Sequence, residues 1–207
     1  MVGGGGGTRF GAPKQFARLG GVTVLDRAVA GAREACDGVV VVVPADTTWD
    51  APGGVSTATG GATRSDSVRA GLALVPEDAD VVVVHDAARP LASRALYAAV
   101  VAAVRGGADA AIPATPVVDT VKRVEAGRVV ATVARDDLVV EQTPQAFAAA
   151  MLRTAHAARA VGTDDAALIE AAGGTVVTVP GESRNLKITV TGDLELAQAL
   201  LDTGATP

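Results

Sequence analysis

The sequence predicts an α/β fold, a doubly wound and mostly parallel open sheet, in a single domain spanning 1–207. Three observations carry that prediction. Val39 to Val43, Val81 to Val84 and Val176 to Val179 are uninterrupted β-branched runs, as strands buried on both faces must be. Between them lie segments with helical spacing, and the two kinds alternate along the chain. Such alternation implies right-handed crossovers, and sheets built that way bind ligands at the carboxyl ends of their strands.

The elements follow in order. Gly3 to Gly7 open the chain, followed by Thr8, Arg9 and then Gly11, Ala12, Pro13, Lys14 and Gln15. Glycine lets backbone amides approach an anion without a Cβ in the way, so this run can form a nest flanked by two cations. On composition alone it can equally be a flexible terminus. It is not a P-loop of the Gly-Lys-Ser/Thr kind, because neither Ser nor Thr follows Lys14. Leu25, Ala28, Val29 and Ala32 share one face of a first helix. After the strand at Val39 to Val43, a helix is expected from Ser65 to Leu74. The strand at Val81 to Val84 ends at His85 and Asp86, and Leu96, Val100, Val101 and Val104 mark the next helix. Thr120 to Arg135 breaks the pattern, with two β-rich arms around Glu125, Ala126, Gly127 and Arg128. That is a β-hairpin arm at about 117–137. A two-stranded hairpin alone is marginal in water, so the arm should pack on something, a second subunit first of all. Helices are expected at Ala146 to Ala160, Asp164 to Ala172 and Gly192 to Leu201, around the strand at Val176 to Val179.

Charge and composition exclude several functions. Acids outnumber bases 23 to 18, the net charge is −5 and the pI is about 5.0, which argues against a general nucleic-acid binder. An anionic ligand must then be met by locally placed Arg and Lys. The single cysteine, Cys36, rules out an internal disulfide or a cysteine-only metal cluster and reads as a small apolar residue ending a helix. No apolar run approaches the roughly 18 residues of a membrane helix, and no charged segment with an apolar core opens the chain. A cytoplasmic location is expected, with neither membrane nor nucleic acid as partner.

The segment GGGTRFGAPKQF resembles the nucleotide-binding opening of the cytidylyltransferases that act on 2-C-methyl-D-erythritol 4-phosphate. Further matches follow in order. Gly60-Gly61-Ala62-Thr63-Arg64 with Ser67-Val68 resembles the family's second nucleotide loop, and Val84-His85-Asp86-Ala87-Ala88-Arg89-Pro90 its most specific motif. Asp119-Thr120-Val121-Lys122, Arg135, Gln142-Thr143-Pro144-Gln145, Thr163-Asp164-Asp165-Ala166 and Asn185-Leu186-Lys187-Ile188-Thr189 complete a resemblance that spans nearly the whole chain. It implies a Rossmann-like nucleotidyltransferase fold and transfer of CMP from CTP to a sugar-alcohol phosphate, with pyrophosphate released. It also implies Mg2+ bound with CTP and a homodimer joined through the hairpin arm.

Residue roles carry over by position. Gly3, Gly4, Gly5 and Gly7, with Gly61, Arg64, Ser67 and Ala87, are expected to hold the nucleotide. Arg9 and Lys14 are expected to stabilise the transition state and pyrophosphate, and Arg135 and Lys187 to hold the acceptor phosphate. Asp86, Arg89, Thr120, Thr143, Thr163 and Asp164 are expected on the acceptor side. Asp86 can reach acceptor hydroxyls or a Mg2+ on the triphosphate. Arg89 can bond the acceptor or pair with Asp86. No general base is needed, because the attacking phosphate is already ionised at neutral pH. His85 reads as a satisfied buried histidine, His156 as plain surface, and Asp164 and Asp165 as helix-capping residues.

The opening departs from the family pattern. Only Met1 and Val2 precede Gly3, and Gly3 and Gly4 stand where the family has two alanines after a buried strand. The first strand is therefore expected to be missing, leaving its neighbours without backbone partners. A start further upstream, or a shortened and poorly active form, is the corresponding expectation. Three rivals remain: a cytidylyltransferase for another polyol phosphate such as ribitol 5-phosphate, a nucleotide-sugar glycosyltransferase, and a nucleotide-binding protein without catalysis. The strand end at His85-Asp86-Ala87-Ala88 lacks the Asp-x-Asp pattern expected of the second.

Overall fold

Valine runs become strands where the sequence places them in the computed structural model of the chain, which describes residues 1–5, 10–158, 162 and 164–203. A 3-10 turn at Lys14–Phe16 leads into β1 (Arg18–Leu19), β2 (Val22–Thr23), α1 (Val24–Ala35), β3 (Val39–Val43), β4 (Val55–Thr59) and α2 (Arg64–Leu72). Then come β5 (Val81–Val84), α3 (Arg94–Arg105), β6 (Ala110–Pro116), β7 (Val121–Glu125), β8 (Arg128–Val133), β9 (Val139–Glu141) and β10 (Gln145–Ala148). α4 (Ala149–Ala157), α5 (Ala166–Ala171), β11 (Val176–Pro180) and α6 (Thr191–Asp202) finish the chain.

Helix starts are fixed locally. Thr23 with Asp26, and Thr63 with Asp66, form reciprocal capping boxes, so α2 begins with Arg64 as its first residue. One sheet runs β11-β6-β10-β5 with β9 against β6, and β3 pairs with β4. The pairs β3/β4 and β6/β11 are parallel, whereas β10 is antiparallel to both neighbours. The helix expected from Ala146 therefore starts at Ala149 instead. Alanine favours a helix, but Gln145, Ala146 and Phe147 are fully buried between β5 and β6, and pairing there overrides propensity.

Helices cover both faces. Val68, Leu72, Leu152 and Ile169 of α2, α4 and α5 pack with Val84 and Phe147 on one side. On the other, α1 sets Leu25 and Val29 against Val41, and α3 sets Val100 and Val104 against Ala111 and Ala146. This is the doubly wound arrangement.

The first strand is present as a stub, which corrects the expectation that it is missing outright. Val2 forms parallel bridges with Val42 beyond one edge and Asp86 beyond the other. Val2 N donates to His85 O at 2.8 Å, Gly3 N to Val42 O at 2.8 Å, and Ala87 N to Val2 O at 3.0 Å. Three residues are enough because the valine ladders on either side present backbone groups that only an inserted strand can satisfy. Behind Met1 lies a cavity of about 660 Å³ between Val39 and Val81, with Leu72, Tyr97 and Leu152 among its lining. The Met1 ammonium is buried in it, donating to Val40 O at 2.7 Å, and burial lowers its pKa to about 6.

β7 and β8 pair only with each other among the described residues. Their turn places Ala126 at φ 47° and Gly127 at φ 79°, the two positive values that a tight right-twisted hairpin requires. Val124, Val129 and Val130 of the arm and Val139 and Val140 of β9 lie exposed.

Candidate active site

The stub, β3–β4 and β5 deliver their following loops to one end of the sheet. Gln15, buried after the 3-10 turn, donates from Nε2 to Gly3 O at 2.9 Å and Gly5 O at 3.3 Å, pinning the glycine opening. The second loop is pinned from α2: Gly61 N donates to Ser67 Oγ at 3.2 Å, and that hydroxyl donates to Thr63 O at 3.1 Å. A Cβ on Gly61 would stand 2.3 Å from Asp66 Cβ, so only glycine lets the loop lie against the helix start. A Cβ on Gly4 would come 3.3 Å from Ser67 Oγ and 3.5 Å from Gly60 Cα, so the two loops lie side by side. Ala87 is buried beneath them, its Cβ 3.5 Å from where a Cβ on Gly3 would sit.

Asp86 follows β5 and faces two cations. Lys187 Nζ is 2.5 Å from Oδ2, and Arg64 Nη2 is 3.8 Å from Oδ1. Burial pushes the carboxyl upward, but Lys187 and then Arg64 outweigh it and hold the pKa below the ordinary range. The carboxylate is thus ionised at neutral pH, with its charge already matched.

A buried polar frame sets these positions. Arg89 O can only accept, so His85 Nε2 carries the proton and donates to it at 3.0 Å. His85 Nδ1 then accepts from the Thr143 hydroxyl at 3.0 Å, and Thr143 Oγ1 accepts Asp86 N–H at 3.0 Å. Burial lowers the His85 pKa to about 4, so the ring is neutral and structural, as its sequence reading has it. Asn185 Nδ2 donates to Thr143 O at 2.8 Å and to Gln142 Oε1 at 3.2 Å, while Ile188 N donates to Ala88 O at 2.8 Å. These bonds hold the Lys187 segment against β5. Arg89 Nη1 braces the same segment through Asn185 O at 2.7 Å and makes no ion pair with Asp86.

The acid side of the site is a carboxyl pair. Glu141 is exposed at the end of β9, but partial desolvation of its carboxyl, and then the neighbouring Asp164, raise its pKa to about 8, so of the two carboxyls it is the one that favours the proton. Burial also acts upward on Asp164, but the hydrogen bond from Glu141 and the Ala167 N–H at 2.9 Å keep it below the ordinary range. Asp164 therefore caps α5, as expected. Asp165 does not: its carboxylate bonds Arg64 and His156.

Comparison with known proteins fits this geometry. The sequence profile described as IspD: 2-C-methyl-D-erythritol 4-phosphate cytidylyltransferase matches residues 1–203. The chain belongs to that family. The 2-C-methyl-D-erythritol 4-phosphate cytidylyltransferase of Rhodococcus jostii (strain RHA1) is 49% identical over 201 residues, covering 93% of this chain and 88% of that protein. The bifunctional enzyme IspD/IspF of Clavibacter michiganensis is 45% identical, and the match takes in 99% of this chain and 55% of that one. Among solved structures, the 2-C-methyl-D-erythritol 4-phosphate cytidylyltransferase of Thermus thermophilus superposes with a TM-score of 0.86 at 37% identity, covering 97% of each chain.

The family's motif residues do not all converge. Gly3, Gly4, Gly5, Gly61, Arg64, Ser67, Asp86, Ala87, Arg89, Thr143 and Lys187 gather at the sheet end, with Asp164 beside Glu141. Gly7, Arg9 and Thr163 lie outside the described residues. Lys14 opens the 3-10 turn, where its charge acts on Asp193. Thr120 and Arg135 are exposed at the base of the arm, Arg135 bonding Val118 O.

Sequence reasoning missed four contributors: Gln15, Glu141, Asp165 and His156. His156 is no surface residue, being 2% exposed and bonded to Asp165. A signal existed, because Ala149, Leu152 and His156 fall at helical spacing on one face, the buried face of α4.

Proposed function

We propose that this end of the sheet transfers CMP from CTP to 2-C-methyl-D-erythritol 4-phosphate, giving 4-diphosphocytidyl-2-C-methyl-D-erythritol and pyrophosphate in isoprenoid precursor biosynthesis. The observation that carries the reading is the ionised Asp86 held between Lys187 and Arg64 beside two glycine loops. An oxygen of the acceptor phosphate attacks the α-phosphorus, the new P–O bond forms in line, and the bond to the β-phosphate bridge breaks as pyrophosphate leaves. Both reactants are anions, so the protein's task is to position them and spread charge.

The loops divide the work. Gly3, Gly4, Gly5 and Gly7 serve the triphosphate, and Arg9 and Lys14 stabilise the transition state and the leaving pyrophosphate. Gly61, Arg64, Ser67 and Ala87 receive the nucleoside. Asp86 takes the acceptor hydroxyls, and Lys187 holds the acceptor phosphate. Thr143, Thr163, Asp164 and Arg89 frame the acceptor side. Thr120 and Arg135 serve the site of a second copy, reached through the arm, whose exposed valines form the homodimer contact.

The donor set bears on how a divalent cation would be held. Among the described residues no group of three or more His, Cys, Asp or Glu is placed to cage a metal, and both Asp86 oxygens already face cations. A Mg2+ bound with CTP would be held chiefly by the triphosphate oxygens with Asp86 as the protein carboxylate within reach, and would supply charge neutralisation for the leaving pyrophosphate. No described helix is long and apolar enough to cross a membrane, and we place the enzyme in the cytoplasm.

Pyrophosphate release with CTP and a panel of acceptors tests the reading. Turnover is expected with 2-C-methyl-D-erythritol 4-phosphate. Faster turnover with ribitol 5-phosphate would reassign the acceptor, and no turnover with any polyol phosphate would overturn the transferase reading.

A further inference from the structure

α4 carries a histidine that the reaction as described does not use. His156 and Asp165 have side chains 2% and 1% exposed, and His156 Nε2 is 2.8 Å from Asp165 Oδ1. The other oxygen, Oδ2, is 2.7 Å from Arg64 Nη1, and Arg64 turns its second nitrogen, Nη2, toward Asp86 at 3.8 Å. A fully buried carboxylate is costly unless each oxygen is bonded. Here one oxygen is spent on the histidine and one on the arginine. With Nε2 donating to the carboxylate, Nδ1 has no hydrogen-bond partner among the described residues. Among the described residues the ring's hydrogen bonding is thus its contact with Asp165.

This geometry limits what Asp165 can do. A carboxylate that turned freely could offer Arg64 either oxygen, or drop it for solvent. Fixed by His156, it presents one oxygen in one direction, and the planar guanidinium must align with it. Arg64 also starts α2, three residues after Gly61 of the second glycine loop.

We propose that His156 is a positioning residue for the reaction, acting through Asp165 to hold the Arg64 guanidinium in its nucleotide-binding orientation. This rests on the reading of Arg64 as a nucleotide contact. His156 itself touches neither reactant. Its influence runs along one path, from α4 through the residue before α5 to the first residue of α2.

The test compares His156→Gln, His156→Asn and Arg64→Ala, with CTP binding measured by calorimetry and kcat and KM for both substrates measured on the whole chain. Glutamine places an amide nitrogen where Nε2 stands and keeps the Asp165 bond. Asparagine fills the inner part of the pocket but stops short of Asp165. H156N is expected to weaken CTP binding and raise its KM by on the order of tenfold, with kcat changed far less. H156Q is expected to stay within about threefold of the parent. In the R64A background, H156N is expected to add nothing to the loss of CTP affinity. Equal CTP affinity in H156N and H156Q would overturn the proposal, as would an H156N effect that persists undiminished in R64A. Unchanged CTP binding in R64A alone would remove Arg64 as a nucleotide contact and the proposal with it. That result would leave the transferase reading, tested by the acceptor panel, standing.

Discussion

Lys187 illustrates how a residue's surroundings decide its value. Its side chain is 44% exposed, so solvent screens its pair with the Asp86 carboxyl, itself 13% exposed, and the pair contributes modestly to stability. Its contribution is geometric, since the Asn185 and Ile188 bonds carry it to within 2.5 Å of Asp86. Lys187→Ala should leave the melting temperature within a few degrees and cut kcat/KM for the acceptor by on the order of a hundredfold. A loss below about fivefold would remove Lys187 from the acceptor site. Glu141 makes a second prediction by its charge. With its pKa raised to about 8, it is neutral at pH 7 and ionises as pH rises through 8, adding a negative charge beside two anionic substrates. Activity should therefore fall on the alkaline side of pH 8, and Glu141→Gln should keep that limb flat. A pH profile unchanged by E141Q would refute the assignment. The sign for stability runs the same way, because a raised acid pKa contributes fully below 4.5 and is lost as pH climbs through 8.

Elements are legible in proportion to how local their cause is. The valine runs of β3 and β5 appear with the bounds expected of them, because β-branching and burial act in the same direction. The hairpin is also where the sequence puts it, since Ala126 and Gly127 alone set its turn. β4 and β6 carry no such mark: VSTAT is half polar and AAIPATP holds two prolines, and both become strands through parallel partners distant in sequence. β10 reads as helix because alanine does not reveal its neighbours. The arm offers the element-scale prediction. Deleting residues between Lys122 and Ala134 should give a monomer in sedimentation, with activity reduced by at least about a hundredfold through loss of Thr120 and Arg135 from the partner's site. A fully active monomer would sink the arm's role.

At the scale of the molecule, the sheet is held together by its shortest member. Met1 to Gly3 join the β3–β4 pair to β5, and the cavity behind Met1 is walled by the same valine strands. Lengthening the amino end with about four β-branched residues, matching the 4 residues of β5, should fill it and raise the melting temperature by roughly 5 °C or more. A Gly-Ser extension of equal length serves as the control, and equal melting temperatures for the two would contradict the idea.

Fold class, hairpin, family resemblance and most of the residues at the sheet end are written in the chain itself, because valine runs, turn glycines and ordered motifs are local signals. Folding alone reveals that the opening residues complete the sheet as a stub, that Arg89 braces a segment without pairing with Asp86, and that His156 lies buried against Asp165. Each of those depends on backbone groups or charges brought together from distant parts of the chain. A buried polar atom must find its partner wherever the fold places one, and no spacing within a single segment records which partner that is.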